Sequence, residues 1–232
     1  MTYLKRYRID FLIVLGFFVL PLLLFGDVTM GSKTMLPVDN LYQWAPWTAV
    51  SPTAVSSPQN PLITDLIIQN YAWKQFIREN ISTPTQLLWN PYLFGGVPFL
   101  AAGQHGAYYP FSALFLILPL SKAYGWYVLS QLWLAGVLMF VYGRVLGMRR
   151  SSAALAGLVY QGGGYIVVSA AVFPMVIGAV VWLPLLLACI EKVTNGARNR
   201  ARATWLWAGL GAVALGTQSW PGTLSLPFTP CW

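Results

Sequence analysis

The chain predicts an all-α integral membrane protein with about five transmembrane helices and one long extracytoplasmic loop. Three observations carry that prediction. Hydrophobic residues fill 57% of the 232 positions and charged residues only 9%, against roughly 25% charged in a soluble domain. The apolar residues gather in runs long enough to cross a bilayer. Ten of the fourteen Lys and Arg fall in three clusters that each abut such a run: Lys5, Arg6 and Arg8; Arg144, Arg149 and Arg150; and Lys192, Arg198, Arg200 and Arg202. Clusters so placed act as positive-inside topology signals and touch anionic headgroups. The net charge of +8 is therefore assigned to membrane lipids as partners, with no nucleic acid implied.

The first domain, residues 1–26, is a cytoplasmic N-terminus and a first span over about residues 11–25, with Pro21 as the expected kink. It starts as a signal peptide does but lacks a small-residue cleavage site before Asp27, so it is read as retained. The basic start sets the N-terminus in the cytoplasm and sends the residues after the span to the outer face.

Residues 27–123 form the second domain, the extracytoplasmic loop. No stretch in it offers 18 consecutive apolar residues, and a loop this long that is not disordered tends to carry function. Asn60 and Pro61 mark an N-cap and first helical position, and Leu62, Leu66, Trp73, Phe76 and Ile77 form an apolar stripe. Those signals predict an amphipathic interfacial helix over residues 61–80, with Asp65 and Gln69 on one face. The segment WNPYLFGGVPFL beyond it must be turn-rich. Residues 109–120, bounded by prolines and about a dozen long, read as interfacial or re-entrant.

The third domain, residues 124–232, holds spans two to five: residues 124–146, 153–173, 175–190 and 203–220. Gly162, Gly163 and Gly164 sit mid-span, where a triplet either permits close helix packing or breaks the helix. Cys189 and Cys231 supply neither a disulfide framework nor metal-ligand spacing.

Chemistry concentrates in the loop, which holds Asp27, Asp39, Asp65 and Glu79, four of the six acidic residues, and the single histidine. Asp65 is the first candidate for a general base. Leu62, Leu66, Ile67 and Ile68 would hold it at an apolar boundary, where partial burial raises a carboxyl pKa toward proton abstraction. Asp39, flanked by Pro37 and Trp44, ranks next. Any of the loop carboxylates could also ligate a divalent metal, but no ligand cluster is spaced for one. His105 has no cysteine or carboxylate at ligand spacing, and reads as structural or as a contact for sugar or phosphate. Trp89, Asn90 and Tyr92 combine aromatic faces with amide donors, which suits a sugar ring and equally suits an aromatic belt on a tight turn. Lys74 and Arg78, on one helix, either hold a lipid phosphate or reach headgroups along their apolar stems. No phosphate-binding loop, nucleophile elbow or dinucleotide fingerprint is present, so no ATP- or NAD-dependent chemistry is expected.

Asp65 and Gln69, then Trp89, Asn90, Pro91, Gly95, Gly96 and Pro98 in WNPYLFGGVPFLA, then Gln104, Tyr109 and Pro110 in GQHGAYYPF, and VVWLPLLLACIEK at 180–192, together resemble the YfhO-like bacterial membrane proteins, grouped with the GT-C glycosyltransferases. The resemblance covers roughly residues 60–190. It implies a bacterial plasma-membrane enzyme that moves a sugar from a polyprenyl-phosphate donor to a cell-envelope acceptor on the outer face. Asp65 would be the catalytic base with Asp39 in reserve, and Gln69, Lys74, Arg78, Trp89, Asn90, Tyr92, Gln104 and His105 would line the substrate site. Members have more spans than five, so the resemblance also implies an N-terminal fragment. The reading from a different class is a non-catalytic transporter or assembly subunit with a partner-binding outer loop. Transporters bury ionisable residues within their spans, and here Asp10 and Glu191 lie only at span ends.

Overall fold

A computed structural model describes residues 2–52, 59–83, 87–198 and 203–219. Among them every regular element is helical. The chain divides into two compact units, Met1–Gly26 with Val128–Trp232, and Asp27–Tyr127.

The first unit draws on long helices. They are α1 (Thr2–Gly16), α2 (Val19–Thr29) and, leaving aside three short helices of the second unit, α6 (Leu120–Val145), α7 (Arg150–Gln161), α8 (Gly164–Val172), α9 (Pro174–Val180), α10 (Leu183–Arg198) and α11 (Ala203–Ser219). Two segments, Leu120–Val145 and Pro174–Gly196, are each long and apolar enough to cross a membrane. Two bent pairs, α1 with α2 and α7 with α8, bring the number to four if each pair is one span. Two to four spans are thus counted among the described residues. The expected fifth, residues 203–220, corresponds to α11, which has 17 described residues, and its last position, Trp220, lies outside the described part. Cys231 and the Pro-rich end lie outside it too.

Both bends have local causes. α1 and α2 part at Phe17 and Phe18 with a 41° bend. Pro21 has no N–H to give the carbonyl four residues earlier, which belongs to Phe17, and its ring crowds that carbonyl. The freed Phe17 oxygen accepts instead from Gln161 Nε2 at 2.7 Å, so a buried glutamine replaces the missing backbone donor. The Phe17 ring packs where only glycine leaves room: a Cβ on Gly157 or Gly136 would come within 2.5 or 2.7 Å of its ring atoms. α7 and α8 part at Gly162 and Gly163 with a 47° bend, so the glycine triplet breaks the helix. In the middle of α1, Asp10 accepts from Arg150 Nε at 2.7 Å. That pair puts the start of α7 beside the middle of α1, two residues past Arg8.

The second unit uses short pieces. They include 3₁₀ turns at Val38–Gln43, Trp47–Val50, Pro61–Ile63 and Pro110–Ser112, a π-helix at Leu66–Tyr71, and α3 (Ala72–Asn80), α4 (Phe99–Ala102) and α5 (Ala113–Ile117). The single amphipathic helix expected over residues 61–80 is thus three consecutive segments of different winding. Its start follows the sequence signal: Asn60 Oδ1 accepts from Leu62 N at 3.1 Å, with Pro61 as the first residue. Its stripe does so with one exception, because Leu66, Trp73, Phe76 and Ile77 are buried whereas Leu62 is 88% exposed. Leu62 lies in the 3₁₀ turn, whose three-residue period turns it off the face that the later residues share. Trp73, Phe76, Ile77, Leu87 and Phe99 make one hydrophobic cluster in the core of this unit. Residues 109–120 hold only a turn and the five residues of α5, too short to cross a bilayer.

Candidate functional site

The π-helix and α3 form one wall of a groove of about 630 Å³, and the turn Asn90–Phe94 forms another. Four of the expected site residues meet there: Asp65, Gln69, Asn90 and Tyr92. A π-helix takes about one residue more per turn than an α-helix and often marks functional positions. Asp65, just before the π-helix, and that helix's own Ile68, Gln69 and Tyr71 line the groove, and α3 continues the wall with Ala72, Trp73, Gln75, Phe76 and Glu79. No local sequence signal announces that winding.

The opposite wall is fixed by a narrow loop. Asn90 and Val97 pair through two backbone hydrogen bonds, Asn90 N to Val97 O at 2.8 Å and Val97 N to Asn90 O at 2.9 Å. Asn90 Oδ1 accepts from Tyr92 N at 2.9 Å, closing an Asx turn. Phe94 at φ 50° and Gly95 at φ 77° then reverse the chain. Gly96, at φ 120°, lies under the Trp89 indole, where a Cβ would come within 2.4 Å of Nε1. Trp89 is thereby seated on the loop's own glycine and does not line the groove. The Tyr92 ring meets Phe76 edge-on, centroids 6.2 Å apart, which ties the two walls together.

Asp65 is exposed, against the expected partial burial. Only Leu66 and Ile67 of its apolar neighbours turn inward, while Leu62 and Ile68 stay exposed. Its carboxylate is open to a ligand and carries no hydrogen bond from the described residues. Glu79, which the sequence offers only as one of four loop carboxylates, shares the groove and accepts a short hydrogen bond from Gln75 Nε2. The signal that could have found it is spacing: Gln75 and Glu79, four apart, come after Asp65 and Gln69, four apart, along one wall.

The other expected residues lie elsewhere. Lys74 is not at a headgroup-facing surface; it is 6% exposed. Its ammonium donates to His105 O at 2.7 Å and Ser112 Oγ at 3.4 Å, and sits 4.6 Å from the centre of the Phe115 ring. Burial with no carboxylate partner pulls its pKa from 10.5 down to about 7. His105 is equally interior. Its ring stacks on Phe99 at 4.3 Å, Nδ1 accepts from Ala107 N at 3.0 Å, and Nε2 faces Leu100 O at 3.4 Å. That pairing assigns the proton to Nε2 of a neutral ring, and desolvation, with Lys74 nearby, holds its pKa below the ordinary value. His105 therefore serves structure. Arg78 is exposed and donates to Leu118 O at 3.2 Å. Gln104 is exposed, away from the lining residues. Asp39 accepts from Gln59 N at 2.9 Å, outside this groove. Among the described residues no three His, Cys, Asp or Glu come together as a metal site.

A second groove of about 650 Å³, lined by Leu41, Trp44, Trp47, Ile67, Ile68 and Tyr71, shares Ile68 and Tyr71 with the first. Its lining is almost wholly apolar. Trp44, Trp47 and Tyr71 thus line a concavity.

The chain matches no family model, no curated protein and no solved structure.

Proposed function

We propose that the chain is a membrane glycosyltransferase-like protein of the YfhO-like, GT-C type, with its substrate site in the Asp65 groove on the outer face of the plasma membrane. One observation supports this above the rest: Asp65, Gln69, Asn90 and Tyr92, chosen from the sequence for sugar chemistry, line a single groove with Glu79. Carboxylates and amides bind hydroxyl rims, and the rings of Trp73, Phe76 and Tyr92 supply faces for the apolar side of a sugar.

The chemistry asked of the protein is modest. The acceptor hydroxyl gives its proton to Asp65 as its oxygen forms the new bond to the anomeric carbon, and the bond from that carbon to the donor phosphate breaks. The leaving polyprenyl phosphate carries away the electron pair. Arg78, exposed on α3 outside the groove lining, is the nearer candidate for that phosphate; Lys74 is committed inside the fold.

Transfer from a polyprenyl-phosphate sugar in proteoliposomes tests the reading. Removal of a general base costs about 10²–10⁴ in rate, so Asp65→Asn should lose at least about a hundredfold, and Asp39→Asn should stay within a few-fold of wild type. Full activity of the Asp65 variant removes the catalytic assignment. The exposure of Asp65 favours a second reading, a sugar-binding outer domain without catalysis, in which wild type binds sugar yet transfers none.

A further inference from the structure

The turn that walls the Asp65 groove ends in an open, apolar tip. Leu88, Trp89, Tyr92, Leu93 and Phe94 are all exposed, Tyr92 at 81% and Phe94 at 98%. At its base the paired Asn90 and Val97 and the Asx turn fix the backbone, so these side chains stand on a defined frame. Phe94 keeps φ 50° there, a conformation that costs a bulky L-residue energy, and a side chain so exposed gains no packing within the chain to repay it.

The groove does not account for this exposure, because Leu88 and Trp89 lie outside its lining. A docking site for a protein sets its apolar centre within a polar rim, whereas residues 80–121 include no Asp, Glu, Lys or Arg. Exposed apolar patches mark protein or membrane contacts. An uncharged patch rich in aromatic rings suits the lipid interface, where Trp and Tyr concentrate and charge is costly.

Contacts within the second unit join the tip to the start of a candidate span. The Tyr92 ring meets Phe76 of α3 edge-on, and two residues further along α3 Arg78 donates to Leu118 O at 3.2 Å. Leu118 stands two residues before Leu120, where the membrane-length α6 begins. Thr34 Oγ1 donates to Ser121 O and the Lys122 ammonium to Lys33 O, each at 2.7 Å, which fastens the same entrance to the chain that follows α2. α3 is thus bonded to the mouth of a span, and the tip packs on α3.

We infer that residues 88–94 form a membrane anchor: the tip seats in the headgroup and acyl boundary of the bilayer, on the face where α6 begins. Tyr92, Leu93 and Phe94 also wall the Asp65 groove, so the anchored tip holds that groove at headgroup level, where a lipid-borne phosphate is presented. This rests on the membrane reading of the long helices and adds to it the depth of the site.

Nitroxide depth measurement tests it, on the full chain in phosphatidylcholine nanodiscs with Cys189→Ala and Cys231→Ser removing the native thiols. Single labels are attached through Phe94→Cys, through Leu93→Cys and, as a reference within the apolar segment Pro174–Gly196, through Leu187→Cys. Oxygen, which concentrates in lipid, and a water-soluble nickel chelate serve as the relaxing agents. The label at 94 should relax more with oxygen than with nickel and report a depth of about 5–10 Å, the seat of interfacial apolar faces. The label at 93 leaves Phe94 in place and should report the same depth. Adding Phe94→Asp should move it into nickel-accessible water, because the charge keeps out of lipid. Aspartate tolerates positive φ, so that variant keeps the turn. A label at 94 relaxed mainly by nickel, while the one at 187 stays in lipid, would overturn the anchor and leave the membrane reading standing. Nickel access at 187 would overturn both. A label at 94 shielded from both agents would mean that a protein surface covers the tip, and would equally overturn the anchor.

Discussion

The two units solve the same problem of buried polarity in opposite ways. In the first, most helices are longer, and three side chains each reach one backbone carbonyl: Gln161 Nε2 to Phe17 O, Trp133 Nε1 to Val14 O at 2.9 Å, Tyr160 OH to Val180 O at 3.1 Å. In the second, helices are short, prolines and glycines set their ends, and Lys74, Ser112 and the backbone of residues 105–106 bond one another in the interior. A scaffold needs only to close its own backbone hydrogen bonds. The second unit instead keeps a lysine side chain in its interior, among short and differently wound segments.

Perturbing Lys74 should give the largest effect on stability. Its folded pKa of about 7 lies below the ordinary 10.5, so between those values the unfolded chain holds a proton that the folded chain does not. Stability should therefore rise with pH across that window and be lost as pH falls through it. The full change is on the order of 5 kcal/mol. Unfolding midpoints at the two ends of the window should show this slope in wild type and lose most of it in Lys74→Met; an unchanged slope would mean that the ammonium is not buried.

Next in size is Gly157→Val in the first unit, where the added carbon atoms meet the Phe17 ring and the Gly136 carbonyl. A loss of about 3 kcal/mol in thermal unfolding is expected. Gln161→Leu should cost about 2 kcal/mol, since it leaves the Phe17 oxygen buried and unpaired. If Gln161→Leu were neutral, the repair at Pro21 would be incidental. The smallest effect belongs to Leu62→Ala, within about 0.5 kcal/mol, whereas Ile77→Ala on the same stretch should cost about 2–4 kcal/mol. Similar losses for the two would restore the continuous amphipathic helix.

Legibility from the sequence divides along the same line. Apolar runs and basic clusters predicted the helical class, and Pro21 and the glycine triplet marked both bends, because these effects are local. Asn60 and Pro61 marked a helix start for the same reason. The π-winding of Leu66–Tyr71 escaped, since it depends on how that stretch packs, and with it went the exposure of Asp65. Lys74 misled because a lysine near the end of a short helix resembles a headgroup contact, and only the fold shows that Phe115, Ser112 and the His105 carbonyl enclose it. Glu79 escaped because its partner in the groove, Asp65, is fourteen positions away.

The site should be located physically by irradiating the protein with a polyprenyl-phosphate sugar that bears a diazirine on the sugar ring, then mapping the cross-linked peptides. Attachment within residues 65–79 and 90–94 is the predicted result. Attachment confined to residues 1–26 and 128–219, with the groove unmarked, would contradict the assignment of substrate chemistry to the second unit.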